Sequence, residues 1–270
     1  MFVYVNSNIF EHDIHSVRRK RVTILAESRQ QAILEELNRG GHAVVSELAK
    51  CFAVSEMTIR RDLKLLEEMG LAVRVHGGAL PGERSRFTSR LSTNARSKAK
   101  AVGKLVSRIP HSGCVYFDGS TTVLNLVKHL RGLNRLQVAT NNVETFNRLT
   151  ALRGPSAILI GGTFDPRTDN LIGPLAVRSI EALVFEYAFF SAWGLNPATG
   201  LNEVTVEDAE VKARVASRSK TVCIAIDHSK FGVVAGGTWR HGREKSTLST
   251  DLRPDDENVR PFSKLFGTVL

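Results

Sequence analysis

Ser55-Glu-Met-Thr-Ile-Arg-Arg-Asp-Leu63 is the stretch from which the rest of the chain can be read. Ser55 suits an N-cap, its side-chain oxygen able to accept from a free amide of the first helical turn. Ile59, Leu63 and Leu66 follow at i, i+4 and i+7, a stripe that requires a core. At about 100° per residue, Met57, Arg60, Arg61 and Lys64 then share the opposite face. Gly70 stands where a helix should stop. The pattern gives a short helix with one apolar and one basic face, which alone also describes a solvated amphipathic helix.

What precedes this helix gives it a context. From Glu27, the residues Ala32, Ile33 and Leu37 set a helical period that ends at Asn38-Arg-Gly-Gly41. Val44 and Val45 read as a brief extended pair, Ser46 as the cap of a second short helix over Glu47–Phe52, and Ala53-Val54 as a turn. Two short helices joined by a tight turn form a helix-turn-helix, whose second helix enters the major groove. Leu71–Val75 then alternates and His76-Gly-Gly-Ala79 turns, a hairpin wing suited to the phosphate backbone. The expected DNA contacts are Ser55, Met57, Thr58, Arg60, Arg61 and Lys64 on the helix, with Arg74 and His76 on the wing. Residues 1–26 read as an arm, either a solvated tail or an extension whose Arg18–Arg21 run touches DNA.

Composition agrees with a polyanionic partner. The 270 residues carry a net charge of +10, and 42% are hydrophobic, enough for two packed cores. Between Arg84 and Phe117 eight Lys and Arg side chains stand with no Asp or Glu, a run that fits either a solvated surface or phosphate contact. Cys51, Cys114 and Cys223 lie far apart in apolar contexts, so buried reduced thiols are expected rather than a zinc site or redox pair. No apolar run approaches membrane-spanning length, and the N-terminus lacks the charge order of a signal peptide. A cytoplasmic protein with no membrane partner is the expectation.

Beyond a Pro-, Gly- and Ser-containing linker at 81–93, the texture becomes alternating strands and helices through 94–270. Apolar runs at 114–117, 136–139, 157–160, 188–191 and 222–226 read as strands. Helical patterns at 97–108, 122–131, 142–151, 175–184 and 206–219 lie before and between them. Late strands are expected at 247–250 and 267–270, around a polar insertion at 238–246. This alternation implies a mostly parallel sheet covered on both faces. Ligands of such sheets sit outside the carboxyl ends of the strands. There the sequence places Asp118-Gly-Ser-Thr-Thr122, then Thr140-Asn141, Gly161-Gly162, and Asp227 with Lys230. Gly119 allows close backbone approach, Ser120, Thr121 and Thr122 supply hydroxyls at a helix start, and Lys230 supplies a counter-charge, a set suited to phosphate. Any one of these motifs alone reads equally as helix capping.

Arg29, Ile33, Leu37, Ser55, Thr58, Ile59, Arg60, Arg61, Asp62 and Leu63 together resemble, spacing included, the signature of the DeoR family of bacterial repressors. Arg74-Val-His-Gly-Gly-Ala79 looks like that family's wing. Asp62 falls toward the buried flank and reads as a partner for a neighbouring Arg or amide, since a carboxylate repels phosphate. The C-terminal half, through Lys98, Asp118, Ser120–Thr122, Thr140-Asn141, Gly161-Gly162, Gly173, Phe189, Gly194, Glu210, Lys212, Asp227 and Lys230, resembles the family's effector domain. The family has Ser then Gly where this chain has Gly119 then Ser120, and commonly an Asp where this chain has Glu186-Tyr-Ala188. The resemblance implies an α/β protein: an N-terminal winged helix-turn-helix domain at 27–80 plus a C-terminal mostly parallel α/β domain resembling ribose-5-phosphate isomerase. It also implies a homo-oligomer on a double-stranded DNA operator and a sugar-phosphate effector. The expected function is repression of a sugar catabolic operon, with no catalytic residue, metal or cofactor. The alternatives are a sugar-phosphate isomerase with a DNA-binding appendage, or a constitutive DNA-binding protein with a degenerate sensor.

Overall fold

The computed structural model describes residues 26–40, 42–75, 77–82, 90–166 and 168–270, without the side chains of residues 27, 38–40 and 81. The expected arm, His76 and residues 83–89 of the expected linker lie outside these. The chain divides into two compact units, the first ending at Leu80 and the second beginning at Pro81. No described helix is long and apolar enough to cross a membrane.

The first unit runs α1 (Ala26–Gly40), β1 (Ala43–Val44), α2 (Val45–Cys51), α3 (Glu56–Glu68), β2 (Ala72–Val75) and β3 (Gly78–Pro81). Ile33 and Leu37 of α1, Leu48 of α2, and Ile59, Leu63 and Leu66 of α3 are buried in one cluster, so the apolar stripe read from the sequence closes the core. Ser55 caps α3, its Oγ accepting from the Thr58 amide at 3.2 Å. Gly70 follows with φ of 71°, as a helix stop requires. Between α2 and α3, Ala53 takes a left-handed φ of 53°.

Two expectations need correction here. Helix α2 begins at Val45, not after Ser46, and Val44 at its cap makes no side-chain bond. Val45 is drawn in by burial, and its amide donates to the Gly77 carbonyl at 2.9 Å, so no hydroxyl cap is required. Cys51 is exposed rather than buried, because Val45, Leu48 and Ala49 occupy the inward face of that helix. Cys114 is half-buried and Cys223 buried.

The wing is a three-stranded sheet of order β1-β3-β2, with β1 antiparallel to β3. Gly78 is required there: a Cβ would lie 2.2 Å from the Ala43 carbonyl oxygen. Asp62 is buried, and Arg29 grips it through Nε at 2.6 Å and a terminal nitrogen at 3.2 Å, with Gln30 donating at 3.0 Å. The acid inside the basic helix is thus the bolt between α3 and α1.

The second unit holds α4 (Ala95–Gly103), β4 (Ser112–Phe117), a 3-10 helix (Val123–His129), β5 (Arg135–Thr140), α5 (Val143–Thr150) and β6 (Ser156–Leu159). A hairpin of β7 (Thr163–Asp165) and β8 (Asn170–Ile172) precedes α6 (Pro174–Glu181) and β9 (Phe185–Phe190). Then come β10 (Gly194–Asn196), β11 (Gly200–Glu203), α7 (Val206–Ser217), β12 (Ser219–Ile226), β13 (Gly237–Trp239), β14 (Ser246–Thr250) and β15 (Thr268–Val269). Seven strands form one sheet of order β15-β14-β12-β9-β4-β5-β6, with every pair parallel. The period of two sorts the side chains to its faces. Tyr116, Ala188, Phe190, Ile224 and Leu248 join α6 and α7 on one side. Val115, Phe117, Phe189, Cys223 and Ala225 join α4 and the 3-10 helix on the other.

The expected strands are all present, and 122–131 is a 3-10 rather than an α-helix. The expected polar insertion at 238–246 contains most of β13, which pairs with β11 in a small antiparallel sheet of order β10-β11-β13. The chain leaves β4 toward β5 and β6, then returns to place β9 on the other side of β4. That reversal opens a crevice at the carboxyl ends of β4 and β9.

Removing the Asp62 carboxylate takes its closest ion-pair partner from a buried guanidinium. Asp62→Ala should destabilise the first unit by about 3–5 kcal/mol, read as a fall in its denaturant midpoint. A shift below about 1 kcal/mol, the worth of a surface pair, would show that the ion pair does not bolt the helices.

Candidate functional site

On α3, Met57, Arg60, Arg61 and Lys64 are all exposed, on the face opposite the buried stripe. Arg60 reaches Glu56 at 3.2 Å and Lys64 reaches Glu68 at 3.8 Å, both open surface pairs that phosphate can displace. Ser55 and Thr58 sit at the start of the helix, their hydroxyls 2.9 Å apart. On the wing, Glu67 holds Arg74 through its Nε at 2.7 Å and its amide at 3.1 Å, and this lowers the Glu67 pKa. Of the basic run after Arg84, Lys98 is buried, and Lys100 and Lys104 donate to the carbonyls of Asp251 and Leu252. These lysines are committed within the second unit.

At the crevice in the second unit, Asp118 ends β4 fully buried. Its Oδ1 accepts from the Ser120 amide at 3.0 Å and the Ser120 hydroxyl at 2.6 Å. Its Oδ2 accepts from the Ser191 amide, which follows β9, at 2.7 Å, and meets Lys212 at 3.2 Å. Ser120 Oγ in turn accepts from the Val123 amide at 3.0 Å. Asp118 and Ser120 are therefore spent on building the turn. Gly119 is required by what approaches it: a Cβ would lie 2.0 Å from Asn170 Oδ1.

The turn and its neighbours enclose a cavity of about 150 Å³ lined by Gly119, Ser120, Thr121, Thr122, Asp227 and Lys230 among others. Four cations are among the lining residues: Arg90, Lys98, Lys212 and Lys230. Lys98 Nζ donates to Thr121 Oγ1 at 3.1 Å and to the Arg90 carbonyl. Burial lowers the Lys98 pKa to about 8, and Lys230 and Arg90 push the same way against the pull of Asp227. Burial lowers Lys230 likewise, and its ammonium lies 5.0 Å from the centre of the Trp193 ring. Asp227 Oδ1 accepts from Asn94 at 3.1 Å and from the Ser229 hydroxyl at 2.5 Å. Its Oδ2 is buried without a hydrogen-bond partner among the described residues.

The lining also holds the buried acids Glu203 and Asp208. Lys212 Nζ donates to Glu203 Oε1 at 2.7 Å and to the Ser191 carbonyl at 2.9 Å, and Trp239 Nε1 donates to the same Glu203 oxygen at 3.2 Å. Burial raises the Glu203 pKa to about 7, outweighing Lys212. Burial works against the Lys212 charge, but Glu203 and Asp118 overcome it and hold the proton. Asp208, raised by burial, accepts from Asn170 at 2.9 Å.

Besides Asp118, four more expected site residues do not line the cavity. Thr140 is buried and accepts from the Asn142 amide at 3.2 Å. Asn141 accepts from the Tyr116 hydroxyl at 2.7 Å and donates to the Leu171 carbonyl at 3.0 Å. Gly161 is exposed, and Gly162 lies against the backbone of Ile172. Asn141 and Gly162 lie against the β7–β8 hairpin, whose Asn170 does reach the cavity, so their part is one step removed.

Residues 29–83 match the DeoR-like helix-turn-helix domain, and residues 93–251 match the DeoR C terminal sensor domain. The chain belongs to the DeoR family. A DeoR-type relative, the HTH-type transcriptional regulator GolR of Listeria innocua, is 31% identical over 238 residues, 87% of this chain and 94% of its own. The glycerol-3-phosphate regulon repressor of Escherichia coli is 30% identical over 207 residues, 76% of this chain and 82% of its own. Among solved structures, ribose 5 phosphate isomerase A from Neisseria gonorrhoeae overlaps 54% of this chain and 55% of its own, at 15% identity and a TM-score of 0.36. The α/β assignment rests on the seven-strand order instead.

Within this DeoR sensor unit, sequence reading missed Arg90, Asn94, Asn170, Trp193, Glu203 and Asp208 as cavity residues. Arg90 and Thr93 fall inside the stretch read as linker. One signal was present in α7, where Asp208 and Lys212 stand at i and i+4 beside Ala209 and Val215, charges on a face that burial selects. Lys98 gave a similar signal beside Ala101 and Val102.

Folding lifts the Glu203 carboxyl from 4.5 to about 7, so the folded state binds more protons across that window. Its contribution to stability is complete below pH 4.5 and is lost as pH rises through about 7. Glu203→Gln should flatten the slope of unfolding free energy against pH in that window. An unchanged slope would assign the proton uptake to another group.

Proposed function

We propose that this DeoR-family regulator represses a sugar catabolic operon and is released from its operator by a phosphorylated sugar bound in the cavity. The observation that carries the reading is the charge pattern at the strand ends. Arg90, Lys98 and Lys230 line one cavity, close enough that Arg90 and Lys230 lower the proton affinity of Lys98, and Arg90 that of Lys230. A phosphate monoester neutralises such a cluster and accepts its donors. Asp227 Oδ2 is a buried acceptor awaiting a donor, and a sugar hydroxyl provides one. The glycerol-3-phosphate regulon repressor of Escherichia coli, by its name, belongs to regulation of the same chemical class.

In this reading Gly119, Thr121, Thr122, Asp227 and Lys230 meet the ligand together with Arg90 and Lys98. Asp118, Ser120, Thr140, Asn141, Gly161 and Gly162 hold the wall they stand on. Residues 27–80 read double-stranded DNA, 81–93 link, and 94–270 sense. Ser55, Met57, Thr58, Arg60, Arg61 and Lys64 face the groove, and Arg74 and His76 the backbone. The protein works in the cytoplasm as a homo-oligomer, each protomer meeting one operator half-site. Ligand and operator are coupled by about 1–3 kcal/mol, the usual range for a regulated pair of sites.

Two measurements test the two halves separately. Arg60→Ala/Arg61→Ala should cost about 1–3 kcal/mol for a lost bidentate base contact and reduce the slope of log affinity against log salt by about 0.9 per phosphate contact. Operator binding as tight as wild type at physiological salt would refute α3 as the reading helix.

For the sensor, operator release is titrated with pentose, hexose and triose phosphates, using wild type, Lys230→Ala and Lys98→Gln. Both variants should bind operator normally and require at least about tenfold more effector, the loss of one charged hydrogen bond. Effector affinity of wild type should also fall as pH rises through about 8, where Lys98 loses its proton, and Lys98→Gln should remove that step. Release of all three proteins at one concentration would place the effector elsewhere.

A further inference from the structure

A second cavity, of about 380 Å³, lies in the sensor unit between the β10–β11 hairpin, β13 and the segment 264–266. Its floor is apolar: Leu195, Leu201, Trp239 and Phe266 are all buried. Its rim carries Arg240, Arg243 and Lys264, all exposed, and no Asp or Glu lines it among the described residues. None of the three cations makes a salt bridge to a described residue. Between floor and rim the His241 ring stacks on Phe266, with centroids 5.0 Å apart and 26° between planes, and meets Trp239 edge-on at 6.2 Å. Burial lowers the His241 pKa, so at neutral pH the ring is an uncharged planar surface.

A planar apolar floor beneath an unopposed ring of cations selects a ligand with a flat ring and an anionic group. Rings stack on aromatic faces, and arginine forks match phosphate oxygens. A cavity of this size lies within the range that holds small organic ligands. We propose that this cavity is a second ligand site of the protein, taking a mononucleotide with its base on the His241–Phe266 stack and its phosphate on Arg240, Arg243 and Lys264. The site is also joined to the first cavity. Leu201 of β11 pairs with Trp239 of β13 in register, and the Trp239 indole N–H is bonded to Glu203, which lines the first cavity. A ligand seated on His241 is therefore one ring, Trp239, away from a group that faces the other site.

The sequence supplies the reporter, because it contains two tryptophans, Trp193 at the first cavity and Trp239 at the second. In full-length Trp193→Phe protein, Trp239 fluorescence is titrated with AMP, adenosine and inorganic phosphate. AMP should give a saturable change, with adenosine and phosphate each at least about tenfold weaker. Arg240→Gln/Arg243→Gln/Lys264→Gln in the same background should weaken AMP by at least about tenfold, since a bond to a charged group contributes that much. These side chains are exposed, so folding should survive, and Arg243→Gln alone serves if it does not. Lys230→Ala should leave the AMP response intact, which separates this site from the first cavity.

The proposal is overturned by no saturable change at millimolar AMP or by equal affinity in the triple variant. It is also overturned if phosphate alone binds as tightly as AMP, or if Lys230→Ala abolishes the response. Duplex DNA competing away AMP, with weaker operator binding by the triple variant, would overturn it too by assigning the cations to DNA.

Discussion

The carboxylate of Asp118 holds the sensor unit open where it matters. Parallel strands that part at a switch point leave two carboxyl ends with unsatisfied amides and no side chain between them. Asp118 fills that gap: one oxygen takes both donors of Ser120, and the other takes the Ser191 amide and Lys212. The turn after β4 and the end of β9 are thereby fixed to one group. From this follow the placement of Thr121 and Thr122 on the cavity wall, the protonated state of Lys212, and the seat of Glu203 beside it. Asp118 is a framework residue although it sits beside the cavity.

The first unit uses a buried acid in the same way. Asp62 lies between two arginines' worth of basic helix surface, yet it turns inward to Arg29 and Gln30. This leaves Arg60 and Arg61 as outward cations on a helix whose rotation about its own axis is fixed. Where a base must be read to within a hydrogen bond, that fixation is what the acid contributes.

Much of this was legible because period and cap are local properties. The stripe Ile59, Leu63, Leu66 behind Ser55 needed no tertiary information, and neither did five apolar strands between helical repeats. Asp62 was recognisable as structural since its sign is wrong for DNA. What stayed hidden was whatever depends on chains crossing. Asn170 and Glu203 reach the cavity through short antiparallel strands that carry no clear alternation, and Arg90 lies in a segment whose composition reads as linker. Asn141 and Gly162 stood at strand ends, where ligands gather, but contact with the β7–β8 hairpin claimed that position. Val45 began its helix without a hydroxyl cap because a carbonyl from the wing was in reach, and no local pattern announces that.

Ala53 carries a consequence of another kind. A left-handed alanine costs roughly 1–2 kcal/mol that glycine would not incur, and here it forms the corner between α2 and α3. The corner is therefore not at its own minimum. It is held there by Val45, Leu48 and Ala49 on one helix and Ile59 and Leu63 on the other. The crossing angle of the two helices belongs to the core and not to the turn. Sequence drift within that core would tilt α3, so the direction of its basic face can change between relatives that keep every residue on that face.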